Sequence, residues 1–300
     1  LMIGTLIILP LAGFIELSET KKTISDTLES ASVVFNNNNN SFFNGNSGLA
    51  AILSSIGGLS WGLGYLGQPH LLIRYMAINS SRSIKKAKII AVLWAIPGIT
   101  GAFFIGIVSL MHFGPEYFYM NDSEQAMPLL AIEILHPVIA GIFISGAVAA
   151  MMSTADSQLL VSASAITEDF YHQYLGRNLK EDSLVKLSRV VIVILGLLAY
   201  CIAIVSEIQD KRIFAVVSYA WSGLGSSFGP ALLLTLWWKK TTREGIISGL
   251  ITGFISTIIW GNSEFLKSII SERLVSFFIS IISIYLVSIF KKYENQRSHN

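Results

Sequence analysis

Charge is scarce in this sequence. Asp, Glu, Lys and Arg make up 13% of its 300 residues, about half of the roughly 25% carried by soluble domains. With 52% hydrophobic residues and a mean hydropathy of +0.60, the composition excludes an ordinary soluble domain. Cysteine is nearly absent: the one residue, Cys201, sits in an apolar run, so neither a disulfide framework nor a cysteine metal cluster is expected. Short segments of alternating polarity are missing, which argues against a transmembrane β-barrel. Missing too are a phosphate-binding glycine loop, paired catalytic carboxylates, a nucleophile–histidine arrangement and a G-x-S-x-G elbow. No enzymatic activity is expected, and no nucleic-acid partner.

What is present is a series of long apolar runs. A helix needs about 20 apolar residues to cross a bilayer, and eight stretches qualify: 1–17, 48–72, 87–112, 137–167, 190–206, 213–238, 244–261 and 272–290. The expectation is an all-α integral membrane protein with lipid as its main surroundings. Residues 18–47 are polar, hold an asparagine run at 36–40, and read as a solvated loop. His136-Pro137 should separate a short helix at 128–135 from the span that follows. The chain begins with Leu inside an apolar run, with no leader pattern before it, and is expected to be the C-terminal part of a longer protein.

Lys and Arg sort by side. Alternate connections hold fifteen of the 21, among them Arg74, Arg82, Lys85, Lys86, Lys239, Lys240 and Arg243. The opposite connections hold six: Lys21, Lys22, Lys211, Arg212, Lys267 and Arg273. The first set is expected in the cytoplasm, together with the tail at 291–300.

One apolar run carries a polar cluster, "AMMSTADS" at 150–157. At about 100° per residue with Ala150 as zero, Ser153 falls near −60°, Thr154 near +40° and Ser157 near −20°. The three hydroxyls share a face with the Ala150 carbonyl, and Asp156, near −120°, sits at its edge. Hydroxyl and carbonyl oxygens suit a small hard cation. They can also satisfy their own i−4 carbonyls or bridge helices. Asp156 weighs against that bland reading, because an ionisable residue inside a span usually faces a cavity, a partner or a transport path.

A second cluster interrupts the span at 48–72. "GGLSWGLGYLGQPHLLIRYM", residues 57–76, holds five glycines and Pro69. This predicts a bent or unwound backbone of the kind that lines substrate sites in secondary transporters. Trp61 and Tyr65, four apart, share a face and offer apolar walls with polar tips to a small solute. Close glycine packing with an interfacial aromatic belt is the alternative. "SYAWSGLGSSFGPALLLTLWW", 218–238, repeats the style and allows a bend or small-residue packing. Gly245, Gly249 and Gly253 read as a packing ridge.

Through "WGLGYLGQPHLLIRYMA" (61–77), "AAMMSTADSQLLVSASAITEDFY" (149–171) and "VSYAWSGLGSSFGPALLLTLWW" (217–238), the sequence resembles the sodium/solute symporter family, and within it most of all the proline-transporting members. The resemblance implies the inverted-repeat fold of five plus five helices, with most of the first repeat missing. Residues 1–17 would then be the last helix of the first repeat, 18–47 an extracytoplasmic loop, 48–238 the second repeat, and 239–290 two peripheral helices. It implies that Ala150 supplies a carbonyl, and Ser153 and Thr154 hydroxyls, to a co-transported sodium ion. Trp61, Tyr65 and Pro69 would line the solute pocket. The missing helices would complete both sites. Asp156 and Ser157, one turn away, are candidates for a second ion or for tuning the first; an acid at that position is not general among the relatives.

The implied activity is sodium-coupled proline uptake across the cell membrane by alternating access, with the C-terminus cytoplasmic. Alternatives are a symporter of another small solute such as pantothenate, or the membrane unit of a transporter-like sensor. Ten residues after the last span leave no expectation of a kinase module. A channel would have to explain the broken span and the hydroxyl cluster together.

Overall fold

A computed structural model describes residues 1–18, 23–34, 47–175, 181–209 and 211–297. In chain order the helices are α1 (Met2–Ser18), α2 (Ile24–Val34), α3 (Gly48–Leu59), α4 (Trp61–Tyr65), α5 (Pro69–Met76), α6 (Ser81–Phe113), α7 (Pro115–Met120), α8 (Ala126–Ile134), α9 (Pro137–Ser164), α10 (Glu181–Ile208), α11 (Ile213–Trp237), α12 (Arg243–Gly261), α13 (Glu264–Ile269) and α14 (Glu272–Arg297). No strand occurs among the described residues.

All eight expected runs are helical. By length and apolarity five helices can cross a membrane, and α3–α5 makes a sixth if its bent halves count as one span. α1 is shorter, at 17 residues. α11 is long enough at 25 residues but is not among the five, because Ser218, Ser222, Ser226, Ser227 and its glycines lower its hydropathy. The polar stretch 18–47 is not wholly loop: α2 forms inside it, with Asp26 in its first turn, where an acid favours the helix dipole. The asparagine run at 36–40 lies outside the described residues. The break at His136-Pro137 falls where expected, with Leu135 extended after α8 and Pro137 opening α9. Beyond Ser164 the helix continues to Tyr174 with wider π-type turns, past the expected end at 167.

The chain forms two compact units, residues 1–45 with 78–192, and 46–77 with 193–300. In the first, α1, α6, α8 and α9 enclose Leu9, Ile105, Val108, Leu130, Ala140 and Phe143. Gly101 lets α6 approach the Leu6 carbonyl of α1 so closely that a Cβ would collide with it. In the second, α11, α12 and α14 meet along small and hydroxylated residues. Gly253 abuts the Ser226 backbone, and Gly249 abuts Ile284. Ser280 Oγ donates to the Gly249 carbonyl at 2.9 Å, and Ser248 and Ser283 share a hydrogen bond. The expected ridge at 245, 249 and 253 is therefore packing, as membrane helices pack where apolar burial gives little preference between neighbour and lipid. α10 buries none of its residues, and Val193, Leu197, Tyr200 and Ile202 are each 60% or more exposed. Such a surface belongs in hydrocarbon.

Candidate functional site

In the first unit the polar cluster sits on α9. Pro137 at its first turn needs no N–H partner, and His136 Nδ1 accepts from the Val138 N–H at 3.4 Å, so the helix starts cleanly. Ala140, Phe143 and Gly146 are buried against the unit. Further along, Ser153, Thr154 and Asp156 are exposed, while Ala150 and Ser157 are partly buried.

Two of the three hydroxyls bond back along the helix. Thr154 Oγ1 donates to the Ala150 carbonyl at 3.2 Å, and Ser157 Oγ donates to the Ser153 carbonyl at 2.9 Å. The local reading of these residues is thus observed, and it leaves the Ala150 carbonyl and Thr154 hydroxyl side by side. The carboxylate of Asp156 takes no ion pair or hydrogen bond from a described residue. No group of three His, Cys, Asp or Glu side chains converges among the described residues. The donor set at 150–157 is carbonyl, hydroxyl and one carboxylate, which fits a hard cation and not a transition metal.

In the second unit the glycine-rich span breaks as the sequence suggests. The axes on either side of residues 66–68 differ by 51°. Gln68, extended at φ −79° and ψ 110°, opens α5. Its side chain is buried and Nε2 donates to the Gly64 carbonyl at 3.1 Å, alongside the Gly67 N–H, which donates to the same oxygen at 3.2 Å in the tightened last turn of α4. Gly67 is a steric requirement: a Cβ there would lie 2.7 Å from Gly225 Cα and closer still to the Leu224 carbonyl.

Trp61 and Tyr65 do come together, through a third aromatic. The Trp61 ring stacks on Phe214 (5.3 Å, 7°) and on Trp221 (5.9 Å, 15°). Tyr65 meets Trp221 edge-on at 4.8 Å, and Trp221 Nε1 donates to the Trp61 carbonyl at 3.2 Å. Pro69 begins α5 on the other side of the bend. The start of α14 joins the group. Arg273 lies over the Trp61 ring at 5.0 Å, and its Nη1 donates to Ser218 Oγ at 3.1 Å. Ser222 Oγ donates to the Glu272 carboxylate at 3.0 Å, and the Ser60 and Ser271 hydroxyls are hydrogen-bonded at 3.2 Å. Ser218 and Ser222, one turn apart on α11, therefore hold two consecutive residues of α14.

Sequence reasoning missed Trp221, Phe214, Gln68 and Arg273 as parts of this group. Trp221 lies inside the glycine-rich run 218–238, and that was its only signal. Arg273 registers in the sequence solely as one of the few cations on its side. The ion candidates belong to the first unit and the solute candidates to the second.

Long apolar helices, one of them broken beside an aromatic group, and an oxygen cluster on another define the class: a multi-pass helical membrane protein. The profile of the Sodium:solute symporter family matches residues 1–253, and the chain belongs to that family. It is 34% identical over 296 residues to the high-affinity proline transporter PutP of Bacillus subtilis, covering 99% of this chain and 60% of the relative. To the sodium/proline symporter of Escherichia coli it is 37% identical over 246 residues, 81% of this chain and 47% of the relative. To that of Haemophilus influenzae it is 33% identical over 303 residues, 96% and 57%. The chain spans about half to three fifths of the length of these relatives. They are named as transporters, not enzymes.

Proposed function

We propose that this chain forms the second helical repeat and peripheral helices of a sodium-coupled symporter that carries proline into the cell. The observation that carries the reading is the break at 66–68 beside the Trp61–Tyr65–Trp221 group. A broken span at membrane depth is tolerated where it lines a cavity, and stacked rings with polar edges suit a small, partly apolar amino acid. The names of the relatives support both sodium and proline. Ala150, Ser153 and Thr154 supply part of the sodium coordination, and helices of the first repeat supply the rest. Sodium and proline each raise the other's affinity by the same factor, as linkage requires, and the ion gradient drives uptake by alternating access. The distribution of Lys and Arg supports a cytoplasmic C-terminus. Asp156 and Ser157 tune that ion or hold a second one.

Labelled-proline uptake into proteoliposomes tests the reading. Uptake should need an inward sodium gradient and fall to background when potassium replaces sodium. Sodium-independent uptake overturns the coupling, and a sodium-driven uptake of pantothenate in place of proline overturns the solute.

A further inference from the structure

Where α11 turns into α12 the second unit holds a cleft of about 550 Å³, within the roughly 300–1,000 Å³ range of small-molecule sites. Lys239 and Arg243 stand at it, with Trp238, Thr241 and Thr242 beside them and Ile246 and Ile247 along α12. The turn is fixed. Thr241 Oγ1 lies 2.9 Å from the Leu234 carbonyl and 2.8 Å from that of Trp238. Thr242 Oγ1 accepts from the Gly245 N–H at 3.2 Å, and the Thr242 N–H donates to Ser288 Oγ at 3.1 Å. Trp238 is stacked on Tyr285 at 4.9 Å. The cleft therefore does not depend on loop ordering.

Its charge is unbalanced. Lys239 and Arg243 are exposed, and neither pairs with a described residue. The nearest acid in sequence, Glu244, is exposed in the first turn of α12 and does not line the cleft. Two unpaired cations call for an anion. Two isoleucines continuing along a membrane helix call for a chain attached to it, and a free phosphate would leave that wall bare. The turn also belongs to the lysine- and arginine-rich set of connections, the side on which basic pockets between helices take anionic headgroups.

We infer that this cleft binds one anionic phospholipid, its phosphate between Lys239 and Arg243 and its acyl chain along Ile246 and Ile247. The site is independent of the transported solute.

The test uses the purified protein in zwitterionic detergent and native mass spectrometry with phosphatidylglycerol, phosphatidylcholine or inorganic phosphate. The wild type should retain one phosphatidylglycerol in preference to phosphatidylcholine. The double variant K239Q/R243Q should bind it roughly 10- to 30-fold more weakly, given the usual contribution of a basic residue at an anionic membrane surface. K85Q/K86Q, which removes exposed cations of the same set elsewhere in the chain, should bind normally. Equal retention of the two lipids, displacement by inorganic phosphate at the same concentration, or an equal loss in K85Q/K86Q each overturns the site. Matching melting temperatures of the variants confirm that a loss is one of binding.

Discussion

The Thr154 hydroxyl and the Ala150 carbonyl oxygen lie 3.2 Å apart on α9, joined by a hydrogen bond. Two ligands at right angles around a hard cation, each about 2.4 Å from it, are themselves about 3.4 Å apart. That spacing is compatible with both oxygens touching one ion, as the sodium site proposed above requires, provided the hydroxyl proton turns away. Replacing Thr154 or Ser153 by Ala removes one oxygen and should raise the sodium concentration for half-maximal proline uptake. A lost ligand in a dehydrated site is worth on the order of 1–3 kcal/mol, or roughly 5- to 150-fold. T154S, which keeps the oxygen, should lie close to wild type. Uptake measured against sodium decides; an unchanged sodium dependence in both alanine variants removes these residues from the ion site.

Asp156 is exposed two residues further along α9. If its carboxylate takes part in ion binding, D156N should alter the charge moved per proline in proteoliposomes while leaving expression intact. If it only ties a neighbouring helix, the amide should preserve the bond and the ratio. The expected outcome is a changed ratio or a changed sodium affinity.

Trp61 is held between Phe214, Trp221 and Arg273, so the solute wall proposed above would reach beyond its own helix. W61A and Y65A should weaken proline binding more than sodium binding. R273Q should loosen the ring, by about 0.5–2 kcal/mol for a cation over an indole face, and lower proline affinity up to about thirtyfold. R273K should recover part of it. Competition binding with labelled proline in membranes reads all four. If W61A matters and R273Q does not, the ring is placed by its stacking partners alone.

Gly253 and Gly196 make a matched pair. A methyl group at Gly253 collides with the Ser226 backbone, whereas at Gly196 on α10 it meets nothing within 4 Å. G253A should destabilise by about 1–3 kcal/mol, the usual cost of overpacking. G196A should be neutral or slightly stabilising, because Ala is the better helix former. Thermal melts followed by size-exclusion in detergent separate them.

The five long apolar helices and the bent sixth were legible because hydrocarbon thickness imposes a length and a composition on a span, and both can be read along the chain. The break at Gly67-Gln68-Pro69 was legible for a similar reason: glycine and proline act locally. α2 was not, since its sequence is polar and it buries two residues, Thr27 and Ala31. Nor were the partners of Trp61. Trp221 and Arg273 are 160 and 212 positions away, and nothing in either local pattern points back to residue 61. The hydroxyls at 154 and 157 show the remaining limit. Spacing placed them on one face with Ala150, but a shared face is equally what an i−4 hydrogen bond needs.

The seam of glycine, serine and threonine between α11, α12 and α14 has a thermal consequence. Water-soluble helices held by apolar burial lose their grip in the cold, because that force carries a large heat capacity. Here many of the contacts are backbone against backbone or made by hydroxyls, and the alternative surroundings of these helix faces are lipid tails, not water. Little heat capacity accompanies their formation, so the attachment of these three helices should vary gently with temperature. Cooling the membrane alters the lipid around the seam far more than the seam itself.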